Sequence, residues 1–196
     1  MEMLNLKKGV SLDLHKGDIL NLNKGPDFSS LSHLHVGLGW QTKTDLDSMA
    51  FLKDQNNKIQ ETVYFGSMNH QGIRLMGDNL VGNRNYQEAD DEVILIDLNS
   101  LPNYVRKIDI CANIYAADVK LFGIKDFSKV NNAFVRLVDE DTGCELCRYN
   151  LSEYGKGFNA FHLGSLILQD GFWQFVAVGR GLNGSVSKLA TVLNNE

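Results

Sequence analysis

Short runs of alternating apolar and polar residues, each ended by a turn, recur along most of this 196-residue chain. The clearest run places Ile108, Ile110, Ala112 and Ile114 at every second position, which is the period of a β-strand. Further short apolar runs of this kind occupy residues 36–40, 50–52, 93–98 and 172–178. Because turn residues separate these runs at intervals of about eight to twelve residues, the pattern predicts a β-sandwich or a β-barrel.

Two local patterns refine this expectation. Residues 133–138 and 145–151 flank an acidic turn that ends in Gly143, which predicts a β-hairpin. Ala160, Leu163, Gly164 and Ile167 instead recur at helical spacing, which predicts a short helix. The chain has only two prolines and no low-complexity linker, so we expect one domain spanning residues 1–196.

The first 25 residues contain a small repeat with a period of eight. Residues 4–9, 12–17 and 20–25 each combine Leu-x-Leu with a following Lys-Gly pair. Leu-x-Leu favours a short strand and glycine favours a turn. We therefore predict that residues 1–30 form the N-terminal edge of the domain as short antiparallel strands in a meander.

Composition excludes several classes of function. The formal net charge is −5 and no Lys/Arg-rich tract is present, so nucleic acid is not an expected partner. No apolar run approaches the roughly 18 residues of a membrane span, and the N-terminus lacks the apolar core of a signal peptide. Three cysteines, an odd number, favour the reducing cytoplasm over a disulfide framework.

Residues 77–92 carry the strongest chemical signal. This segment reads GDNLVGNRNYQEADDE and sets five carboxylates against the single base Arg84. Calcium takes about six to eight oxygen ligands, and a bound cation would relieve the repulsion between these carboxylates. Asp45 and Asp47 form a second acidic pair whose members can face the same side of an extended segment. The alternative is a solvated acidic turn, and the EF-hand spacing is absent.

Other motifs point to ordinary structural roles. Residues 179–184 spell GxGxxG, but too little chain follows to build a dinucleotide-binding unit, so a glycine-rich strand end is expected. Cys144 and Cys147 lie three apart on an expected strand and would face opposite sides. His33 and His35 could share a face, for which a surface or interface role is expected. No nucleophile elbow, HExxH motif or P-loop is present.

Several of these segments together resemble the TerD family of tellurium-resistance and stress-response proteins. They are VGLGW at residues 36–40, DLDSMAFL at 45–52, GDNLVG at 77–82, DDE at 90–92, ANIY at 112–115, AFVRLV at 133–138, RY at 148–149 and FVAVG at 175–179. They follow the family order over nearly the whole chain. The resemblance implies a mainly β fold, a two-sheet β-sandwich with one or two short helices, that holds calcium in its acidic loops.

The resemblance also implies a set of ligands and a biological role. Eight residues carry over as candidates for one or two calcium ions: Asp45, Asp47, Asp78, Asn79, Gly82, Asp90, Asp91 and Glu92. The implied protein is cytoplasmic and non-enzymatic, and it acts with protein partners that include other Ter-type proteins and a membrane-bound one. Residues 83–89 form a longer and less glycine-rich segment than the family usually has there.

Three functions remain open from the sequence. The first is a calcium-binding adaptor or scaffold in the stress response. The second is a calcium-dependent enzyme acting on a phosphate-bearing substrate, although no convergent nucleophile or base supports it. The third is a structural module that assembles through exposed strand edges. Direct handling of tellurite is not expected, because it would require a basic anion pocket or reactive thiols.

Overall fold

The protein is a sandwich of two β-sheets, as the family resemblance implies. The structure is a computed structural model that describes residues 3–6, 10–23, 31–42, 44–77, 90–115, 126–151 and 155–195. Within these ranges each sheet has seven strands. Sheet A has the order β1 (Met3–Asn5), β3 (Ile19–Asn21), β14 (Phe172–Leu182), β13 (Ala160–Gln169), β10 (Lys107–Ile114), β5 (Leu46–Lys53) and β6 (Ile59–Val63).

Sheet B contains the remaining strands. Its order is β2 (Leu12–Asp13), β12 (Cys144–Asn150), β11 (Phe134–Asp139), β4 (His33–Gly39), β9 (Glu92–Asp97), β8 (Ile73–Leu75) and β7 (Asn69–His70). The hairpin expected on either side of Gly143 is confirmed as the antiparallel pair β11 and β12. In the described chain the helical elements are a 3₁₀ turn, Phe127–Lys129, and one α-helix, α1, Val186–Leu193.

The main core lies between the two sheets. On β10 the predicted alternation is confirmed, since Ile108, Ile110, Ala112 and Ile114 all face this core and are at most 1% exposed. The residues between them face the outer side of sheet A, yet Asp109, Cys111 and Asn113 are also buried. They are buried because a second apolar cluster, which includes Leu189 and Leu193 of α1, covers this side of the sheet.

The N-terminal repeat forms strands, but the expected antiparallel meander is wrong. Strand β1 pairs with β3 in parallel at the edge of sheet A, and β2 pairs in parallel with β12 at the edge of sheet B. Consecutive units of the repeat therefore alternate between the two sheets. Leu14 and Leu20 are buried in the shared core, so each unit inserts its own leucines between the sheets.

The helix expected around Leu163 is also wrong, because residues 160–169 form strand β13. This strand is buried on both faces: Leu163 and Leu166 face the main core, while His162 and Ser165 are buried on the other side. A register shift between His162 and Gly164 interrupts the strict alternation. Because this shift puts Leu163 and Leu166 on the same face at a spacing of three, the apolar spacing imitates that of a helix.

None of the helices in the described ranges has the length and hydropathy needed to cross a membrane.

Candidate metal centre and the surrounding charged networks

The acidic segments meet where four central strands begin or end. Strands β5 and β9 start here, and β4 and β10 finish here. The register pairs Leu38 with Glu92 in sheet B and Leu46 with Ile114 in sheet A. At this end a hydrogen bond joins the two sheets, since the Ser48 backbone N–H donates to Glu92 Oε2 over 2.6 Å. Local strand patterns thus bring together acidic residues that are far apart in the sequence.

Four of the predicted ligand candidates are buried carboxylates at this end of the sandwich. The exposed fraction is 5% for Asp45, 3% for Asp47, 8% for Asp91 and 2% for Glu92. Ionised carboxylates are rarely buried to this degree unless hydrogen bonds or cations compensate for lost hydration. This burial argues against the reading of Asp45 and Asp47 as a solvated acidic turn.

Backbone hydrogen bonds fix two of these carboxylates in place. Asp91 Oδ2 accepts the Trp40 backbone N–H over 2.8 Å, and the Asp91 N–H donates to the Leu38 carbonyl over 2.8 Å. Glu92 points into the sandwich on the same face of β9 as Ile94 and reaches Ser48 in the opposite sheet. Each of these side chains therefore stabilises the meeting of the strand ends and also provides carboxylate oxygens there.

Asp47 lies on the other side of sheet A. It pairs with Asn113 across β5 and β10, and both belong to the outer face that also carries Met49 and Cys111. Asn113 Nδ2 donates to the Ile114 carbonyl over 3.1 Å. Asp47 and Glu92 consequently approach the strand ends from opposite faces of the same sheet.

Asp90 is held in an ion pair with Arg136 and His35. Arg136 donates to both oxygens, with distances of 2.8 Å from Nε to Oδ1 and 2.8 Å from Nη2 to Oδ2, and His35 Nε2 lies 2.7 Å from Oδ2. Burial acts to raise the pKa of Asp90, but the contacts with His35 and Arg136 outweigh it and the net pKa is lowered. Both oxygens of Asp90 are therefore engaged by cationic or imidazole groups.

The three remaining ligand candidates, Asp78, Asn79 and Gly82, lie outside the described residues. Within the described residues, no three carboxylate, imidazole or thiol groups converge in a way that could hold a metal ion. The carboxylate oxygens of Asp45, Asp47, Asp91 and Glu92 are nevertheless the donor type that calcium takes. Because these carboxylates do not converge within the described residues, a complete calcium shell would need further oxygens, for which Asp78, Asn79 and Gly82 are the predicted candidates.

His33 and His35 share the outer face of sheet B, where each is surrounded by acidic residues. His33 Nδ1 lies 2.9 Å from Asp141 Oδ1, and His35 Nδ1 lies 3.1 Å from Glu140 Oε2. The hydrogen bond to Asp90 raises the pKa of His35, opposed by burial and supported by Glu140. Sequence reasoning missed Glu140 and Asp141 as partners because the turn after β11 supplies them from more than 100 positions away.

A second charged network is buried under α1, and sequence reasoning missed it entirely. Asp109 Oδ2 lies 2.8 Å from Lys53 Nζ, and Ser165 Oγ donates to Asp109 Oδ1 over 2.6 Å. Both Lys53 and Asp109 are fully buried. Lys53 also donates to the Leu193 carbonyl at the end of α1 over 2.7 Å. Burial acts to raise the pKa of Asp109, but the contacts with His162, Lys53 and Ser165 together outweigh it and the net pKa is lowered.

Ser165, His162 and Asp109 combine the residue types of a hydrolytic triad without its geometry. His162 Nε2 faces both Ser165 Oγ, at 3.0 Å, and Asp109 Oδ1, at 3.2 Å. A triad needs the carboxylate at the opposite ring nitrogen, but His162 Nδ1 has no hydrogen-bond partner within the described chain. The cluster is also sealed from solvent, so we assign it to anchoring α1.

The CxxC pair is not disulfide-bonded. Cys144 and Cys147 are both free, and only Cys147 is packed in the main core. Burial raises the pKa of the Cys147 thiol, and burial likewise raises that of Cys111. These two buried thiols are therefore poorly suited to nucleophilic or redox chemistry.

Comparison with known proteins identifies relatives over almost the whole length. A family model described as TerD domain matches residues 10–192. General stress protein 16U of Bacillus subtilis (strain 168) is 34% identical, covering 96% of this chain and 95% of its own. Tellurium resistance protein TerD of Serratia marcescens is 31% identical, covering 92% of this chain and 95% of its own.

A solved structure shares the fold. The crystal structure of a homologue of telluride resistance protein (TerD) from Streptomyces coelicolor A3(2) superimposes with a TM-score of 0.68. It covers 82% of this chain and 96% of its own, at 18% sequence identity. This similarity supports the two-sheet architecture.

Proposed function

The chain belongs to the TerD domain family, and on that premise we propose that it is a calcium-binding, non-enzymatic stress-response protein of the tellurium-resistance type. The names of the relatives, a general stress protein and a tellurium resistance protein, support the biological setting. The single observation that carries the calcium proposal is the burial of four carboxylates where the strands of both sheets end.

Calcium would use these buried oxygens together with the acidic segment between β8 and β9. The proposed ligands for one or two ions are Asp45, Asp47, Asp78, Asn79, Gly82, Asp91 and Glu92. Asp90 is left out of this set because Arg136 and His35 already engage both of its oxygens. The oxygen-only donor set favours a hard cation such as calcium over a transition metal.

Bound calcium would connect segments that the backbone leaves separate. Asp45 and Asp47 belong to the start of a sheet A strand, and Asp91 and Glu92 to the start of a sheet B strand. Ions held by these carboxylates together with Asp78, Asn79 and Gly82 would fix one end of the sandwich as a binding surface. At a free calcium concentration about 100 times Kd, binding to the folded state alone would add about 2.7 kcal/mol of stability.

The role that fits this chemistry is that of a cytoplasmic adaptor or scaffold. We infer that calcium organises a surface for protein partners, including other Ter-type proteins and a membrane-bound one. Chemistry on tellurite is not part of the proposal, because the buried thiols of Cys111 and Cys147 have raised pKa values. The triad-like residues under α1 anchor the helix and face no solvent.

Calcium-dependent thermal stability in matched variants tests the proposal. We expect Asp47→Asn and Asp91→Asn to abolish most of the calcium-induced rise in Tm that the wild-type protein shows. Asp170→Asn is the control, since Asp170 is exposed at the turn between β13 and β14, where asparagine tolerates the positive φ of 53°. Wild-type and both site variants responding equally to calcium would contradict the proposal.

A further inference from the structure

A depression of about 540 Å³ opens on the outer face of sheet A, where β5 and β10 reach the start of α1. Its lining combines two chemical characters. Asp47 and Asn113 provide carboxylate and amide groups, while Tyr64, Phe65 and Tyr115 provide aromatic rings. Neither the fold nor the calcium proposal explains why these two characters occur together at this position.

Asn113 presents a buried acceptor that lacks a donor. The residue is 4% exposed, and Asn113 Oδ1 accepts no hydrogen bond from the described residues. The amide orientation is set by Nδ2, which donates to the Ile114 carbonyl. A buried acceptor without a donor destabilises the protein, so a ligand that donates here would recover this loss.

The negative charge of Asp47, next to Asn113, indicates which charge the ligand should carry. Asp47 is the direct cross-strand partner of Asn113 and lines the same depression. Side chains paired in this way on one face of an antiparallel sheet lie within about 5.5 Å at Cβ. A carboxylate beside an amide oxygen favours a ligand that is cationic and that donates hydrogen bonds.

The aromatic rings add a preference for a flat cation. The ring centroids of Tyr64 and Phe65 are 5.3 Å apart at 77°, and those of Phe65 and Tyr115 are 6.1 Å apart at 88°. These edge-to-face contacts set neighbouring rings nearly perpendicular to one another along the wall of the depression. Phe65 is 40% exposed and Tyr115 is 39% exposed, so the rings are open to an approaching group.

We propose that this depression binds the guanidinium group of an arginine side chain presented by a partner polypeptide. A guanidinium stacks on aromatic rings, is weakly hydrated and carries five N–H donors for Asn113 Oδ1 and the Asp47 carboxylate. A quaternary ammonium would leave the Asn113 acceptor unsatisfied, because it has no donor. A lysine ammonium donates hydrogen bonds but is compact, strongly hydrated and unable to stack.

Titration with capped amino acids as probes tests the proposed site. N-acetyl-arginine amide is followed by NMR chemical-shift changes, with N-acetyl-lysine amide and N-acetyl-leucine amide as comparisons. We expect saturable binding of the arginine probe with Kd of about 1 mM or below, at least several-fold tighter than the lysine probe. The shifts should centre on Phe65, Asn113 and Tyr115.

Ring-deletion variants establish where the probe binds. Phe65→Ala and Tyr115→Ala should each weaken the arginine probe about fivefold, as expected for the loss of one cation–π contact. Phe172→Ala is the control, because Phe172 is an exposed aromatic residue, 54% exposed, on β14 and outside the depression. This control should bind the probe as the wild-type protein does.

Asp47 also belongs to the proposed calcium ligands, so the titration is run on the protein as purified and again after chelation. Saturable arginine binding in either sample supports the guanidinium site, whatever calcium itself does. Three results would overturn it: no binding in either sample up to about 10 mM probe, equal affinity for the lysine or leucine probe, or unchanged affinity in both ring-deletion variants.

Discussion

At the scale of single residues, the absence of a side chain at Gly37 leaves room for the Asp90 carboxylate. Gly37 pairs with Arg136 across β4 and β11, and the Asp90 carboxylate lies directly over it. A Cβ atom at this position would overlap Asp90 Cγ and both carboxylate oxygens. The glycine therefore creates the space in which Asp90 meets Arg136.

Substitution Gly37→Ala should break this arrangement. We expect a loss of about 1–3 kcal/mol in the free energy of unfolding, because Asp90 must move away from Arg136 and His35. Gly77→Ala is the matched control, since a Cβ there would meet nothing within 4 Å. Chemical denaturation measures both, and equal stabilities for the two variants would refute this role of Gly37.

His35 should make stability depend on pH with a definite sign. Its pKa is raised in the folded protein, chiefly by the hydrogen bond to Asp90, so the stabilisation is fully present below the unfolded value of about 6.5. It is lost as pH rises through the folded pKa. Asp90 stays ionised throughout this window because its own pKa is lowered.

The variant His35→Gln should therefore be less stable than the wild-type protein by about 1–2 kcal/mol near pH 5.5, with the difference shrinking toward pH 9. Urea denaturation across this range measures it. His15→Gln is the control, because the His15 side chain is 84% exposed. A difference that grows with pH would contradict the assignment.

At the scale of elements, α1 is held to sheet A by charge as well as by apolar packing. Lys53 is fully buried, pairs with Asp109 and donates to the Leu193 carbonyl at the helix end. Cations stabilise helix C-termini, where the last carbonyls lack intrahelical partners. Leu189 and Leu193 add apolar contacts with Met49 and Phe51.

Removing the charge of Lys53 should therefore loosen α1. We expect Lys53→Met to cost about 3–5 kcal/mol, because it leaves Asp109 buried with fewer compensating charges. Lys58→Met is the control, since Lys58 also donates to a carbonyl at this helix end, Asn194 O, over 2.9 Å but is exposed. Hydrogen exchange in α1 and thermal unfolding measure both, and similar losses would contradict the role of burial.

The sequence predicted elements well where one face of a strand meets the core and the other is polar or small. Strand β10 is such a case. The acidic turn before Cys144 was likewise sufficient to predict the hairpin of β11 and β12. The sequence failed at β13, where a register shift interrupts the alternation, and at the N-terminal repeat, where pairing depends on distant strands β12 and β14.

The candidate site likewise has a part that could be predicted from the sequence and a part that could not. Acidic residues are visible in a sequence, so Asp45, Asp47, Asp91 and Glu92 could be selected, whereas their burial and the bond between Glu92 and Ser48 depend on the assembled sheets. The ion pair between Asp90 and Arg136 joins residues 46 positions apart, so no local sequence pattern predicts it. The Lys53 and Asp109 pair was missed because each residue alone resembles a surface charge.

At the scale of the whole molecule, the proposed metal centre lies at the end of the sandwich where β5 and β9 begin and β4 and β10 end. A described link between the two sheets at this end is the Ser48 to Glu92 hydrogen bond, beside the buried Asp45, Asp47 and Asp91. Calcium would add ligand bonds to carboxylates of both sheets at this end. Removing it should lower the stability of the complete sandwich, since β5 and β9 begin here and β4 and β10 end here.

Isothermal titration of the chelated protein with calcium, with magnesium as the comparison, tests this central claim most directly. Calcium is predicted to give a saturable isotherm with about one or two ions per chain, and magnesium a much weaker one, because carboxylates from separate strands suit the larger and more flexible shell. Absence of calcium heat together with an unchanged melting curve would contradict the claim, and the buried carboxylates would then serve only to join the strand ends.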